Sequence, residues 1–144
     1  MTAQEMWRNF CRAEKVSGEY QAWAYGDDPD TLAELTLQGI KTATASAYPI
    51  YALEGEPLPQ AGEYSVILNT RGEAVCVIQT VKVTVCPFHQ VGEAQAWKEG
   101  EGSRTLDYWR TVHRKFFTEE MQAVGMAFDE EMPVVCEEFV RVFP

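Results

Sequence analysis

Basic residues are scarce in this sequence. Lysine and arginine together number 12 against 22 aspartates and glutamates, so the 144-residue chain carries a formal net charge of −10 at pH 7. Because the affinity of proteins for nucleic acid comes largely from cations that contact phosphates, no binding to duplex DNA is expected. A small local basic pocket remains compatible with this composition, and the net charge favours dispersed molecules through mutual repulsion.

Long hydrophobic runs are missing too. No stretch approaches the roughly 18 consecutive apolar residues of a membrane-spanning helix, so no membrane contact is predicted. The amino-terminal residues MTAQEMWRNF contain neither the basic segment nor the apolar segment of a signal peptide. These absences predict a cytoplasmic protein.

Cysteine motifs and common enzyme signatures are also absent. The four cysteines form no C-x-x-C pair, and neither histidine lies at a zinc-binding spacing from them. The sequence contains no G-x-S-x-G, P-loop, G-x-G-x-x-G or H-E-x-x-H pattern. We therefore expect reduced thiols, no metal site and no cofactor. The cysteines are Cys11, Cys76, Cys86 and Cys136.

The length of the chain predicts a single domain that covers residues 1–144, and capping signals predict two helices in its amino-terminal part. Thr2 and Glu5 form a capping box that starts a helix over about residues 3–14. Asp28 before Pro29 starts a second helix, which a left-handed Gly39 should end. Apolar periodicity predicts two more helices, over about residues 92–98 and 105–117.

Strands are predicted mainly in the second half of the chain. Residues 64–69 and 73–85 form a hairpin around a tight turn, and a final strand covers residues 133–143. The second hairpin strand is longer than a flat sheet usually needs, which is typical of a strand that bends around a small barrel. With a short strand after Gly39, this order of consecutive strands favours an α+β fold.

The segment LQGIKTATAS, residues 37–46, carries the first candidate site. A lysine removed from water at a barrel mouth favours its neutral form and becomes a plausible base, and a neighbouring threonine hydroxyl can then act as a nucleophile. In a regular strand, Lys41 and Thr44 would face opposite sides, because their spacing is odd. They converge only if the chain turns or bulges between them; otherwise Lys41 is solvated and Thr44 belongs to an edge strand.

A second candidate site lies in KEGEGSRTLDYW, residues 98–109. Glu99 and Glu101 flank glycines that let a loop approach a ligand closely, and one carboxylate could pair with Lys41 or move a proton. The alternative is a solvated polar loop. His113 is interpreted as a packed or capping histidine. Several aromatic residues either stack a nucleobase or belong to the core: Trp23, Tyr25, Tyr48, Trp97 and Trp109.

The residues Gly39-Ile40-Lys41-Thr42-Ala43-Thr44 form a G-x-K-x-x-T pattern. This pattern resembles the signature of the ASCH (activating-signal-cointegrator homology) domain family. The block EGEGSRTLDYWRTVHRKFF, residues 99–117, resembles a block of a bacterial branch whose members have about 140–150 residues. The resemblance covers about residues 5–143. It implies a PUA-like small β-barrel of about five to six strands with flanking helices, and a cleft at the barrel mouth.

The resemblance also implies a function. ASCH domains are proposed to bind RNA or nucleotides, and some small bacterial members are amidohydrolases that deacylate N(4)-acetylcytidine with a lysine, a threonine and a glutamate. Lys41 and Thr44 take the first two roles by their place in the motif. The loop is longer than in the small amidohydrolases, so Glu101, which we prefer, and Glu99 both remain candidates for the third.

The alternative implied by the resemblance is a non-catalytic module that binds a nucleoside, a nucleobase or an RNA end. In it, Lys41 and two arginines contact phosphate, and aromatic residues stack the base. A regulatory protein without a small ligand is a third reading, and the oligomeric state stays open, with a homodimer among the options. Six residues are candidates for substrate binding: Gly39, Thr42, Trp23, Tyr48, Arg104 and Arg110.

Overall fold

A computed structural model describes residues 1–144 and contains five α-helices, five strands and a short 3-10 turn at Phe88–Gln90. The helices are α1 (Ala3–Glu14), α2 (Pro29–Leu37), α3 (Tyr48–Glu54), α4 (Glu93–Glu99) and α5 (Leu106–Ala123). The strands are β1 (Gln21–Ala24), β2 (Ala43–Ala47), β3 (Tyr64–Leu68), β4 (Ala74–Pro87) and β5 (Pro133–Phe143).

The five strands form one sheet in the order β1-β3-β4-β5-β2, which curls into a half-barrel. The β1–β3 pair is parallel and the other three pairs are antiparallel. Strand β4 pairs with β3 through its first half and with β5 over most of its length, and its register shifts between Thr80 and Lys82. Such a bulge bends a strand and increases its twist. The α+β prediction, with a small curled sheet and flanking helices, is confirmed.

Three hydrophobic clusters attach the helices to this sheet. Helix α1 packs against β3 and β4 through Trp7 and Phe10, and α2 packs near β3 and β4 through Leu32 and Ala33. Helix α5 joins a third cluster that includes residues of α4 and β5, with Phe117 fully buried in it. The clusters hold the helices around the curled sheet, which leaves the region between α4, α5 and β2 for the candidate site.

Local signals in the sequence correctly predicted the start of α1 and both ends of α2 to within about two residues. Thr2 and Glu5 make both hydrogen bonds of the predicted capping box. The Asp28 side chain caps α2, and Gly39 adopts the expected left-handed conformation, with φ of +78°. The sequence did not predict α3 or β1. No residue of helix α3 is fully buried, so its apolar periodicity is weak, and β1 has only four residues at the edge of the sheet.

None of the helices combines the length and the hydrophobicity that crossing a bilayer requires.

Candidate functional site

Lys41 is, together with Glu99, the most deeply buried charged residue of the molecule, and 1% of the surface of each is exposed. Gly39 turns the chain at the end of α2, and the backbone N–H of Lys41 donates to the carbonyl of Leu35. Lys41 therefore precedes β2, which begins at Ala43, and the alternation of a strand does not govern its direction. The turn sends the ammonium inward, so the solvated reading of Lys41 is excluded.

Two glutamates on one loop contact the Lys41 ammonium. Its Nζ lies 3.2 Å from Oε2 of Glu101 and 3.4 Å from Oε1 of Glu99. Between the two glutamates, Gly100 has a φ of +73°, and a Cβ there would lie 2.8 Å from the backbone oxygen of Ile40. A residue without a side chain is required for this close approach. Gly100 thus lets Glu99 and Glu101, the residues on either side of it, contact the same ammonium group.

Every oxygen of the Glu99 carboxylate has a partner. Besides Lys41, Oε1 lies 3.5 Å from Nε2 of His113, and Oε2 accepts from Trp109 Nε1 at 2.5 Å and Gln95 Nε2 at 3.1 Å. Burial alone would raise the pKa of Glu99, but Lys41 and then His113 and Trp109 favour the carboxylate and lower the pKa to about 2. Glu99 is a permanent anion that holds Lys41 and His113 in place.

The acid sensitivity of the fold should therefore depend on Glu99. A carboxyl group with a lowered pKa contributes stability above its unfolded pKa, about 4.5, and that contribution is lost as the pH falls towards about 2. We expect Glu99→Gln to have a lower free energy of unfolding than wild type at pH 7. This difference should shrink by roughly 2 to 4 kcal/mol as the pH falls from about 4.5 to about 2. Urea unfolding at stepwise lower pH measures the difference, and a difference that does not change with pH would contradict the lowered pKa of Glu99.

Glu101 differs from Glu99 in its surroundings. Its side chain is 16% exposed, and the carboxylate accepts its one hydrogen bond within the protein from Lys41. Burial raises the pKa of Glu101, with repulsion from Glu99 adding to the effect, although the Lys41 ammonium opposes it. A carboxyl group with a raised pKa is better suited to exchange a proton near neutral pH. The two glutamates are thus chemically distinct.

His113 is part of the same cluster. Its Nδ1 lies 2.8 Å from the carbonyl oxygen of Trp109, which can only accept, so Nδ1 carries a proton. Its Nε2 then faces the Glu99 carboxylate. Burial lowers the pKa of His113, but the hydrogen bond and the charge of Glu99 outweigh burial and raise it. The ring also stacks on the Trp109 indole at 4.1 Å, so the packing role predicted for His113 comes with a contact to the site.

Three side chains of the cluster have the donor types of a metal site. One ligand atom each from Glu99, Glu101 and His113 lie within 4.8 Å of one another. The Lys41 ammonium already lies within 3.4 Å of both carboxylates. A metal ion would have to displace this cation, which already pairs with both carboxylates.

Thr44 lies on the wall between the Lys41 cluster and a larger cavity. It lines a cleft of about 50 Å³ together with Lys41, Glu99 and Glu101, and also an adjoining cavity of about 710 Å³. Its hydroxyl makes no hydrogen bond within the protein, while its carbonyl accepts from Gln95. The structure thus brings Lys41 and Thr44 to one cleft without a bulge, because only Thr44 belongs to the strand.

The large cavity occupies the open seam of the half-barrel. Strands β1 and β2 are the two edges of the sheet, and residues of both line the cavity. Its volume is within the usual range of small-molecule sites, about 300–1,000 Å³. Among the lining residues, four are acidic and none is basic. The acidic residues are Glu56, Glu63, Glu120 and Glu137, and the aromatic ones are Trp23, Tyr25, Tyr51 and Phe116.

The other predicted binding residues lie in different surroundings. Trp23 lines the large cavity, and Gly39 shapes the turn before Lys41. Thr42 bonds to the carbonyl of Lys98 through both its N–H and its hydroxyl, which ties β2 to α4. Neither cavity is lined by Thr42, Tyr48, Arg104 or Arg110.

The two arginines have protein partners instead. Arg104 lies over the Trp97 ring at 3.7 Å and donates to the Trp97 carbonyl, and Arg110 donates to the carbonyl of His89. Of the three cations predicted to contact phosphate, only Lys41 lines a cavity, which is the small cleft, and none lines the large cavity. Sequence reasoning did not assign site roles to Gln95, His113 and Glu137, which lie on two helices and a strand and are all distant from Lys41 along the chain.

The matches to known families and structures concern most of the chain. The model of the ASCH domain family matches residues 21–143. An ASCH domain from Lactobacillus crispatus, known from its crystal structure, shares 33% sequence identity with this chain. The two structures superpose with a TM-score of 0.87, and the match covers 98% of this chain and 94% of that one. Protein EF3133 from Enterococcus faecalis is 35% identical, with a TM-score of 0.90 and coverages of 97% and 87%. No curated protein sequence matches the chain.

Proposed function

Because the chain belongs to the ASCH domain family, we propose that it is an amidohydrolase that removes the acyl group from N(4)-acylated cytidine or cytosine. One observation carries the proposal. A buried lysine lies between two carboxylates, and a threonine with a free hydroxyl separates this cluster from a cavity of about 710 Å³. Nucleophile, base and acid are the three parts that amide cleavage by acyl transfer requires.

The reaction begins with a proton exchange inside the cluster. Lys41 transfers a proton to Glu101, 3.2 Å away, which gives a neutral amine and a carboxylic acid. The amine takes the proton of the Thr44 hydroxyl as its Oγ1 forms a bond to the acyl carbon. Glu101 gives its proton to the cytosine nitrogen as the C–N bond breaks. Water then hydrolyses the threonine ester, releases the carboxylic acid and restores Thr44.

The two glutamates have different roles in this mechanism because their surroundings differ. Glu99, saturated with donors, keeps its negative charge and positions Lys41 throughout the cycle. Glu101, with a single partner and a raised pKa, is the residue that changes protonation. The choice of Glu101 as the third member of the set rests on this difference.

The charge of the cavity favours an uncharged substrate. Its acidic residues would repel a phosphate, whereas a nucleoside or a free base meets aromatic side chains and uncharged polar groups as well as the carboxylate acceptors. We therefore place nucleosides and nucleobases before RNA ends as partners of this site. The binding module without catalysis remains the alternative outcome of the test below.

Product analysis tests the proposal. Incubation of the protein with N(4)-acetylcytidine should yield cytidine and acetate in equal amounts by chromatography, with the 5′-monophosphate converted at least 10-fold less efficiently. Binding of the nucleoside without product over hours would reject catalysis and leave the binding module. Faster conversion of the monophosphate than of the nucleoside would contradict the argument from cavity charge.

A further inference from the structure

Glu137 lies beside Thr44 in the sheet. The two residues are directly opposite each other in the antiparallel pair of β2 and β5, and both line the large cavity. Cross-strand partners have Cβ atoms about 4.5–5.5 Å apart on the same face. A group one bond away from an acyl carbon at Thr44 is therefore within reach of the Glu137 side chain.

The carboxyl group of Glu137 is held on one side only. Thr80 donates to its Oε2 at 2.8 Å, whereas Oε1 has no hydrogen-bond partner within the protein. The residue is only 7% exposed. Burial raises the pKa of Glu137, with the Thr80 hydrogen bond opposing this effect and Glu63 adding to it. The side chain as a whole is largely buried, so its oxygen without a protein partner gains from a ligand that supplies an N–H donor.

We propose that Glu137 is a specificity-determining residue whose Oε1 accepts a hydrogen bond from the exocyclic N–H of the bound base. The identity of the ligand, an acylated cytosine, rests on the function proposed above. In that ligand the N(4)–H is attached to the atom next to the acyl carbon, so an acyl group at Thr44 brings the N–H to Glu137. Thr80 fixes the carboxyl group in this orientation.

Cytidine and N(4),N(4)-dimethylcytidine separate this hydrogen bond from general packing, because only the first has the N–H. Calorimetry of both ligands requires no turnover. We expect the wild-type protein to bind cytidine roughly 10- to 100-fold more tightly than the dimethyl compound. Glu137→Leu should lose this preference through weaker cytidine binding, so that the two ligands bind within about 3-fold of each other.

Matched variants control for shape and folding. Glu137→Gln keeps a carbonyl acceptor and should keep the preference for cytidine within about 3-fold of wild type. Thr80→Val leaves the carboxyl group in the cavity without its fixed orientation and should reduce the preference roughly 3- to 10-fold. These two variants decide the question even if Glu137→Leu does not fold, as judged by its thermal unfolding transition.

The outcomes separate this inference from the proposed function. If Glu137→Leu keeps the wild-type preference for cytidine over the dimethyl compound, the role of Glu137 is overturned. If the leucine variant is unfolded, an unchanged preference in Thr80→Val has the same consequence. The absence of cytidine binding to the wild-type protein would also overturn this role. Hydrolysis of N(4)-acetylcytidine with an unchanged KM in Glu137→Leu would overturn it while the proposed function stands. A preference that depends on Glu137, without any hydrolysis, would support the recognition role and reject the catalytic one.

Discussion

Replacing Thr44 with valine should abolish hydrolysis of N(4)-acetylcytidine and leave the fold intact. Valine keeps the shape of threonine and removes the hydroxyl, which makes no hydrogen bond within the protein. We expect turnover to fall by roughly 1,000-fold or more, since no other serine or threonine lines the cleft that contains Lys41. The free energy of unfolding should change by less than about 1 kcal/mol. Steady-state kinetics and urea unfolding of the same preparation measure both quantities.

Thr44→Ser is the control for this experiment. Serine retains the hydroxyl, so it should retain a measurable part of the activity, and mass spectrometry should detect an acylated protein if the second step becomes slow. Wild-type turnover in the valine variant would remove Thr44 from the mechanism. Loss of activity in both variants together with an unfolded chain would indicate a structural role instead.

Replacing Lys41 with methionine should remove both activity and a large part of the stability. Methionine fills a similar volume but leaves the Glu99 carboxylate buried without its main counter-ion, and Glu101 without its one partner. Breaking a buried ion pair by removing one member typically costs about 3–5 kcal/mol. We expect a loss of this size at pH 7 by denaturant unfolding, with no detectable product formation.

The paired variant Lys41→Met/Glu101→Gln distinguishes charge from packing. It removes the charge of Glu101, whose carboxylate has no other hydrogen-bond donor, so it should recover roughly 1–2 kcal/mol of the stability lost in the single variant while remaining inactive. Equal stability of the single and the paired variants would mean that the loss comes from Glu99 or from packing of the methionine, and not from the unpaired charge of Glu101.

The sequence was most informative where a local signal determines the structure. The capping box at Thr2, the stop at Gly39 and the final strand all depend on residues within a few positions of one another. The motif around Lys41 and Thr44 and the pair Glu99 and Glu101 could also be singled out, because composition and family resemblance both mark them.

The rest depends on contacts between distant parts of the chain. The sequence could not show that Glu99 and Glu101 both reach Lys41, because this requires Gly100 to lie against the backbone of Ile40, about 60 positions earlier. Nor could it reveal that Glu137 lies opposite Thr44, since strand register across such a distance has no local signal. Arg104 and Arg110 looked suited to phosphate by charge alone, but their contacts with Trp97 and His89 hold them elsewhere.

The open seam of the half-barrel also affects how the protein avoids self-association. Strands β1 and β2 have no strand partner on their outer edges, and such unpaired backbone groups invite strand addition from another molecule. Glutamates and two prolines, Pro57 and Pro59, line the space between these edges. Charged residues and prolines are the devices that discourage pairing at exposed strand edges. The acidic lining that favours an uncharged ligand would thus also protect the sheet from aggregation.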